Sequence, residues 1–421
     1  MSLNKLKKWI YHHISINKRL EIVATYYLLF LMIEVRKHSL EESARFSGLN
    51  KSQFSKFLSK HQDLAIYSLD KLSKKQAKQC SKTIKYLKDT SLWKVAILID
   101  STIENRSSIH TENSQKFNHG QGFVIGHQWT NILLIINDMI IPLPPIPYYT
   151  KKYCRENGLK FKTEHDSVVE YLNLLNLEEY IGQHDPKEVV VIADSGYDDK
   201  KIEKAIDKKW NFIIALKEKR SVKSENEYQN TPKSKDWSQV VAFFKNHRRL
   251  PWQTILIPTD EDGKKKKRME FRARQAIGYL RDVGRVQLVC SEWRKRPDGR
   301  RKHLACNDLR ATARQILIGY RIRWLIETFH KEVKTYLGFE DVATQGFASV
   351  QAHIHWVYCA YLLLHAHPPG VPEPAKTIAE KQRRVKQIID HQEKRQVLQQ
   401  LTQIGGVERY KNQLRRALAA S

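Results

Sequence analysis

The sequence predicts an α/β core between two mostly helical regions, residues 1–90 and 368–421. Two short runs rich in Val, Ile and Leu, residues 93–100 and 187–194, each end in an aspartate. A continuous apolar run of this length is typical of a strand that is buried on both faces of a sheet. A third segment, residues 315–337, has helical periodicity and carries one glutamate among several cations. These three segments define the core.

The composition favours a protein that binds a polyanion. The chain has 421 residues, with 73 Lys plus Arg against 45 Asp plus Glu, which gives a formal net charge of +28. This excess is spread along the chain, and a hydrophobic content of 41% with nine Trp indicates a folded body of enzyme size. Nucleic acid is therefore the first expected partner and an anionic membrane the second. A basic scaffold protein is the alternative that fits the charge alone.

Membrane residence and an oxidising compartment are both disfavoured. The longest apolar runs, near residues 23–35 and 356–364, are too short or too interrupted to span a bilayer. No signal-peptide pattern opens the chain. The five cysteines are scattered and form no Cys-x2-Cys pair, which argues against structural zinc and against a disulfide framework. We therefore expect a cytoplasmic protein.

Residues 39–58 have the pattern of a helix-turn-helix. Ala44 is small where two helices would cross closely, and Gly48 supplies a turn four residues later. Ser52 is the candidate N-cap of the second helix. That helix would present Lys51, Gln53 and Lys56 to DNA. The alternative is a helix-turn-helix that serves only as a structural corner.

The order of elements in the central region predicts a topology. Strands at 93–100, 122–129 and 130–142 are followed by a helix at 167–181, a strand at 187–194, a helix at 199–208 and a strand at 210–216. Three strands, helix, strand, helix and strand is the order of an RNase H-like fold. Side chains beyond the C-terminal strand ends of such a sheet converge, so Asp100 and Asp194 are expected to lie close together. Either aspartate alone is more often a helix cap or a turn former.

The segment 315–337 is predicted to be one helix with two unlike faces. Ile322, Ile326, Phe329 and Val333 gather on the side that a packed helix would bury. At about 100° per residue, a polar group shares the opposite face within an arc of roughly 80°: Tyr320, Arg323, Glu327, Lys331 and Lys334. A ladder of i,i+4 ion pairs would produce part of this pattern. The alternative is that the glutamate ligates a metal while its neighbours hold phosphates.

The spacing Tyr320-x2-Arg323-x3-Glu327-x6-Lys334 resembles the YREK signature of DDE insertion-sequence transposases, the group that excises DNA through hairpin ends. The resemblance implies an enzyme that binds inverted-repeat ends in double-stranded DNA and cleaves them by metal-dependent hydrolysis and transesterification. Such an enzyme then joins the 3′-hydroxyl ends to target DNA. It is expected to act as a homodimer or larger assembly in the prokaryotic cytoplasm, associated with the nucleoid. The resemblance leaves open whether an accessory protein directs insertion.

The resemblance also implies a domain organisation. The expected parts are a helical DNA-binding domain at 1–90, an RNase H-like catalytic core at 91–217 and 309–367, a β-rich insertion at 218–308, and a linker with a basic helical region at 368–421. In the insertion, the cation run at 264–268 and the basic hairpin tip at 293–303 are expected to face phosphates.

Roles follow residue by residue from the resemblance. Asp100, Asp194 and Glu327 are the expected catalytic acids and hold two Mg²⁺ ions, with Asp100 bridging and Mn²⁺ able to substitute. The DNA backbone near the transposon end is expected to contact Tyr320, Arg323 and Lys334, with Lys331 and Lys217 as weaker candidates. One feature departs from the family. The tryptophan that the best-known relative carries in the strand before the signature helix has no counterpart, and the nearest aromatic side chains are Trp293 and His303.

Two rival functions stay open on the sequence. An RNase H-like nuclease would cut DNA without strand transfer, and joined products would exclude it. A non-catalytic DNA-binding regulator would use only the helix-turn-helix, and Asp194→Ala would leave its function intact. The presence of all three acids favours the enzyme.

Overall fold

The computed structural model describes residues 3–14, 16–106, 109–119, 122–231, 234–258, 268–294, 301–369, 377–404 and 406–419. Most of the cation run at 264–268 and most of the hairpin tip at 293–303 lie outside these residues, as does most of the proline-rich linker. The chain forms two compact units. The first contains Met1–Leu72 and Glu332–Ser421, and the second contains Ser73–Lys331.

The helices and strands have the following bounds. The helices are α1 Leu3–His13, α2 Lys18–Leu31, α3 Leu40–Ser47, α4 Lys51–Lys60, α5 Gln62–Ser81, α6 Lys151–Glu156, α7 Glu164–Leu174, α8 Glu178–Ile181, α9 Lys200–Asp207, α10 Glu225–Asn230, α11 Val240–Asn246, α12 Ala313–Ile322, α13 Trp324–Tyr336, α14 Phe347–His365, α15 Ile378–Ile404 and α16 Val407–Ala419. The strands are β1 Val95–Asn105, β2 Gln115–His119, β3 Gly122–Ile136, β4 Met139–Pro142, β5 Ile146–Pro147, β6 Val189–Ala193, β7 Asn211–Ala215, β8 Ser221–Ser224, β9 Ser238–Gln239, β10 Gln253–Pro258, β11 Arg268–Leu280, β12 Gly284–Trp293 and β13 Lys302–Cys306. Short 3₁₀ turns occupy Pro186–Glu188 and Ser195–Tyr197.

The first unit is organised around α14, which is apolar on every side and buried along almost its whole length. A helix without a polar face must be surrounded by other elements, and α2 and α4 pack against it. The Tyr27 hydroxyl lies 2.7 Å from Nδ1 of His353, and Phe57 stacks on Trp356 with ring centroids 5.4 Å apart. Nε2 of His353 lies 2.8 Å from the Gly338 carbonyl oxygen, so this buried histidine has a hydrogen-bond partner at each ring nitrogen.

Helices α3 and α4 occupy the segment for which a helix-turn-helix is predicted. Gly48 ends α3 with a φ of 72°, a left-handed conformation that favours glycine. The prediction that Ser52 caps α4 is wrong, because Asn50 is the cap. The Asn50 side chain accepts a hydrogen bond from the Ser52 backbone N–H at 2.9 Å. In return, Gln53 accepts from the Asn50 N–H at 3.0 Å, which completes a capping box.

The described strands of the second unit form one mixed sheet. Its order is β2-β3-β1-β6-β7-β13-β12-β11-β8-β9, with β4 and β5 paired to β3 and β10 paired to β11. Strand β1 is antiparallel to β3 and parallel to β6, and β6 is parallel to β7. This central mixed sheet is consistent with an RNase H-like domain. The strands within 218–308 continue the same sheet, because β13 pairs with β7.

Two strands differ from the sequence prediction. Residues 122–136 form one continuous strand without a break at Trp129, because residues 126–136 pair with β1 on both sides of that residue. The chain reverses at Asn137 and Asp138, whose φ angles of 50° and 65° suit a two-residue hairpin turn. Asp100 does not end its strand, since β1 runs on to Asn105.

The segment 315–337 forms two helices, α12 and α13, and the prediction of one helix is wrong. The helices meet at Arg323, whose N–H bonds to the carbonyl of Tyr320 at 3.1 Å, three residues earlier. This is the tighter 3₁₀ pattern, which interrupts the α-helical series. Helix α12 packs on β6 and β7. A Cβ atom added at Gly319 would lie 2.7 Å from Ile213 Cδ1 and 3.0 Å from Trp93 Cζ3.

Gly319→Ala is therefore expected to destabilise the protein, although alanine normally favours a helix over glycine by about 1 kcal/mol. Overpacking of a filled core costs about 1–3 kcal/mol, which outweighs that gain. Urea unfolding provides the measurement. Ile213→Val removes the clashing Cδ1 atom, so the double variant should be more stable than the sum of the single effects predicts. A stabilising effect of Gly319→Ala alone would contradict the close approach.

Within the described residues, no helix combines the length and the apolar character needed to cross a bilayer. All five cysteines are free thiols, namely Cys80, Cys154, Cys290, Cys306 and Cys359.

Candidate active site

The parallel pairing of β1 and β6 brings two aspartates side by side at the C-terminal end of β6. The parallel register aligns Ile99 with Ala193, so Asp100 and Asp194 are the next residues on neighbouring strands. Burial raises the pKa of Asp100 to about 7, and the charges of Asp194 and Glu327 act in the same direction against Arg323. A buried carboxyl group among other acids is favourable only where positive charge is supplied.

Arg323 supplies that positive charge. Its Nη1 lies 3.0 Å from Oε1 of Glu327 and 3.6 Å from Oδ2 of Asp100. The first contact is an i,i+4 pair of the kind that a solvated helix ladder would contain. The second contact reaches a residue of β1, which a helix ladder does not explain. The guanidinium therefore joins the acid on α13 to the acid in the sheet.

Asp194 also caps the 3₁₀ turn that follows β6. Its Oδ1 accepts a hydrogen bond from the Gly196 N–H at 2.7 Å. The capping interpretation of this aspartate is thus correct, but it does not exclude a second role. A carboxylate has two oxygens with several acceptor positions, so it can cap a turn and still bind a cation.

His330 is the residue of this cluster that sequence analysis missed. One ring nitrogen of His330 and one carboxylate oxygen each of Asp100 and Glu327 lie within 4.8 Å of one another. Glu327 and His330 are three residues apart, so they lie one turn apart on the same side of α13. This Glu-x-x-His spacing was visible in the sequence. His330 adjoins Phe329, which belongs to the buried side of the helix, so periodicity alone does not single it out as a ligand.

Tyr320 on α12 and Arg323 at the bend are two of the four signature residues, and they lie close together. The Arg323 Cζ is 5.9 Å from the centroid of the Tyr320 ring. The Tyr320 hydroxyl also lies 3.2 Å from Nζ of Lys302. Lys331 is exposed on α13. Lys334 belongs to the first unit, where its Nζ lies 3.2 Å from Oε1 of Glu340.

Lys217 follows β7 and is anchored to Asp198. Its backbone N–H donates to Oδ2 of Asp198 at 2.7 Å, and its Nζ donates to the Asp198 carbonyl oxygen at 3.4 Å. It lines an open cavity of about 280 Å³ in which basic side chains predominate. The lining residues are Asp198, Lys200, Lys217, Lys219, Arg220, Ser221, Arg281 and Asp282. Five cations against two acids suit this cavity to an anion.

The three predicted DNA-contacting residues of α4 differ in their surroundings. Lys51 forms an exposed ion pair with Glu41. Gln53 uses its side-chain oxygen in the capping box. Lys56 is exposed. An exposed ion pair is worth at most about 1 kcal/mol, so the first lysine can exchange its partner for a phosphate at little cost.

In the region 218–308, three arginines surround Trp252. The guanidinium carbons of Arg272, Arg274 and Arg301 lie 5.2, 4.3 and 5.5 Å from its ring centroid. Glu292 is the acid with which two of them pair. The positive charge of this group exceeds its negative charge, so this part of the insertion could pair with an anion. His303 is buried, with its ring 5.8 Å from that of Phe244.

Residues 166–363 match the family model of the transposase DDE domain. The matched segment covers a little under half of the chain, contains Asp194 and Glu327, and begins after Asp100. This match supports a DDE transposase and hence an enzyme that acts on DNA in transposition. No curated protein matches the chain.

The donor set of the cluster fits a divalent cation, which DDE transposases generally use. Carboxylate oxygens are the ligands that Mg²⁺ and Mn²⁺ prefer, and imidazole nitrogen suits transition metals such as Zn²⁺, Fe²⁺ and Ni²⁺. Burial and neighbouring acids raise the pKa of Asp100 to about 7, so a cation is needed for this group to be ionised at low cost. Arg323 is the one guanidinium shared by Asp100 and Glu327, and the charge of Asp194 also acts on Asp100, so negative charge is left for a metal ion to balance.

Proposed function

We propose that the chain is a transposase of the YREK subgroup that binds inverted-repeat ends, cleaves them and joins the 3′-hydroxyl ends to target DNA. The observation that carries the proposal is the meeting of Asp100 and Glu327 at Arg323, with Asp194 next to Asp100 in register. Asp100 lies outside the matched family segment, and its inclusion rests on this geometry. The catalytic acids would be these three residues.

The same three acids would hold Mg²⁺, and Mn²⁺ would substitute for it. Bound cations would activate the attacking water or 3′-hydroxyl and stabilise the leaving oxygen. Three carboxylates suffice for two ions, because water and phosphate oxygens complete the coordination of Mg²⁺. In this proposal Asp100 would contribute to holding both ions, and Asp194 and Glu327 would each contribute to holding one. Arg323 orients both Asp100 and Glu327, and its planar guanidinium suits a phosphate as well.

The proposed contacts with DNA are made by polar and basic residues. Tyr320, Lys331, Lys334 and Lys217 would contact the backbone of the transposon end. Lys51, Gln53 and Lys56 would contact DNA from the N-terminal domain, with its helix-turn-helix. Two ends must be held together for coordinated joining, so the active species would be a homodimer or larger assembly, with an accessory protein possible at the target. The protein would work in the prokaryotic cytoplasm, on the nucleoid.

The domain division proposed for this function follows the sequence. Residues 1–90 would bind DNA, residues 91–217 and 309–367 would form the catalytic core, and residues 218–308 would be its insertion. The group of arginines around Trp252 supports a phosphate-binding role for the insertion. Residues 368–421 would form a linker and a basic helical region that contributes to assembly or to DNA binding.

The test is a cleavage assay on a supercoiled plasmid that carries the ends of the protein's own element. The purified chain is incubated with Mg²⁺, with Mn²⁺ or with EDTA, and the products are sequenced. Metal-dependent breaks at the element boundary and joined products support the transposase. Sealed hairpin ends among the products support the YREK route. Cutting without joining points to a nuclease, and binding without any cutting points to a regulator.

The proposed backbone contact of Lys334 makes a separate prediction. Lys334→Ala should weaken binding to a transposon-end duplex and reduce the slope of log K against log salt concentration by about 0.9, the value for one phosphate. Fluorescence anisotropy over a salt series provides the measurement. Lys187→Ala is the matched control, because Lys187 is exposed before β6, at the opposite end of the strand from Asp194. Equal slopes for both variants would remove Lys334 from the DNA contact.

A further inference from the structure

His330 lies at the contact between α13 and the sheet. Its side chain is only 8% exposed, and its Nε2 lies 2.8 Å from Nδ2 of Asn131 on β3. Asn131 faces Asp100 directly across the antiparallel pair of β1 and β3, so both side chains project from the same face of the sheet. Helix α13 therefore delivers its histidine to the surface that carries the buried aspartate.

The distances between the side chains of Asp100, Glu327 and His330 suit binding to one common metal ion. The chosen atoms of Asp100, Glu327 and His330 lie within 4.8 Å of one another. Two ligand atoms on opposite sides of one ion are about 4.2 Å apart when each bond is about 2.1 Å long. A small adjustment of side-chain torsions would thus bring all three atoms to one ion. No other group of three His, Cys, Asp or Glu residues with this proximity occurs among the described residues.

The partner of His330 suits a metal ligand. A histidine that binds a cation through one ring nitrogen carries a proton on the other and usually donates it to a neighbouring oxygen. The Asn131 side chain has one oxygen and one nitrogen at equivalent positions, so a turn of its amide would offer an acceptor to Nε2. The fully buried Asn131 would then hold the imidazole in the tautomer that leaves Nδ1 as the ligand.

We infer that His330 is a nitrogen ligand of the divalent cation that Asp100 and Glu327 hold. The inference rests on the proposed function and goes beyond it, because it adds a nitrogen to a site assigned three carboxylates. Imidazole nitrogen is a ligand for first-row transition-metal ions, a class that includes Mn²⁺, whereas Mg²⁺ takes carboxylate and water oxygens. The site should therefore bind Mn²⁺ more tightly than Mg²⁺, and this preference should depend on His330.

Pulsed electron paramagnetic resonance of one equivalent of Mn²⁺ in the full-length chain tests the inference. We expect ¹⁴N modulation of the Mn²⁺ spin echo in the unsubstituted chain and the ¹⁵N pattern after labelling with ¹⁵N-histidine. His330→Gln should abolish the modulation and weaken Mn²⁺ binding by at least about tenfold, the smallest loss typical of even an outer partner of a metal ligand. His165→Gln is the matched control, because His165 contacts the 3₁₀ turn that follows Asp194, with Nε2 3.0 Å from the Gly196 carbonyl oxygen. It should leave the modulation unchanged.

Absence of nitrogen modulation in the folded, Mn²⁺-loaded chain would overturn the inference, and metal-dependent cleavage in the plasmid assay would then leave the proposed function standing. Loss of modulation in His165→Gln but not in His330→Gln would also overturn it. A chain that neither binds Mn²⁺ nor cleaves would overturn both proposals. Labelling needs no substitution, so the test holds even where His330→Gln fails to fold.

Discussion

Asp100→Asn is expected to slow cleavage of transposon ends by at least about a thousandfold while leaving DNA binding in place. Charge stabilisation by a bound cation is worth several kcal/mol, and each 1.36 kcal/mol corresponds to a tenfold change in rate. Asparagine keeps the shape of the side chain but removes the negative charge that would hold the cation. The surrounding backbone is fixed by pairing with β3, so the fold should persist.

Single-turnover cleavage of a labelled end, beside anisotropy for binding, measures this effect. Asp185→Asn is a matched control, because Asp185 caps the 3₁₀ turn before β6, at the opposite end of that strand from Asp194. It should cleave at nearly the unsubstituted rate. Cleavage by Asp100→Asn at the same rate as the control would remove Asp100 from the site. Parallel loss of cleavage and binding would mean that the residue serves the fold.

Arg220→Ala is expected to lower the free energy of unfolding by about 3–5 kcal/mol. Arg220 pairs with Glu203 and lies 3.4 Å from Oδ1 of Asp198, and both acids are almost fully buried. Removing the guanidinium leaves two buried carboxyl groups without their counter-charge. Burial already raises the pKa of Glu203 well above its ordinary value, with Arg220 opposing and Asp198 adding to the shift.

The loss of unfolding free energy in Arg220→Ala should also depend on pH. Because the folded pKa of Glu203 lies above its unfolded value, the folded protein binds more protons than the unfolded chain between the two values. The contribution of Glu203 to the free energy of unfolding therefore falls as the pH rises from its unfolded pKa to its folded pKa. This fall should be larger in Arg220→Ala. Urea unfolding at pH 5 and pH 8 should show the larger difference at pH 8. Lys200→Ala is the control, because it breaks an exposed pair with Asp282 and should cost less than about 1 kcal/mol. Equal losses in the two variants would contradict the role of Arg220.

The arrangement of the acids was partly predictable from sequence. The runs before Asp100 and Asp194 are apolar enough to identify buried strands, and convergence at strand ends is a general property of such sheets. The continuation of β1 beyond Asp100 was not predicted, because residues 101–105 are mostly polar. Glu104 is fully buried because Arg106 and His127 pair with it, and these partners could not be matched to it by pattern. Tertiary contacts thus decided the length of the strand.

The helix that carries Glu327 shows a second limit of sequence analysis. Its spacing predicted which residues share a face, and Arg323 does contact Glu327. The bend at Arg323 could not be predicted, because no proline or glycine occurs at that position and the bend is marked only by backbone hydrogen bonds that span three residues. His330 could not be assigned either, because its neighbour Asn131 lies on a distant strand. Sequence periodicity therefore predicts which residues share a face of the helix, but the residues that this face contacts are known only from the fold.

Asp100 differs from the other two acids in the rigidity of its backbone. Pairing with β3 extends on both sides of it, whereas Asp194 follows the end of its strand and Glu327 lies in the first turn of its helix. A ligand with a preorganised backbone loses little conformational entropy when a cation binds. In the bridging role proposed for Asp100, any angular error would disturb two ions at once. If Asp100 holds both ions, the most firmly fixed backbone of the three acids would lie where movement would be most costly.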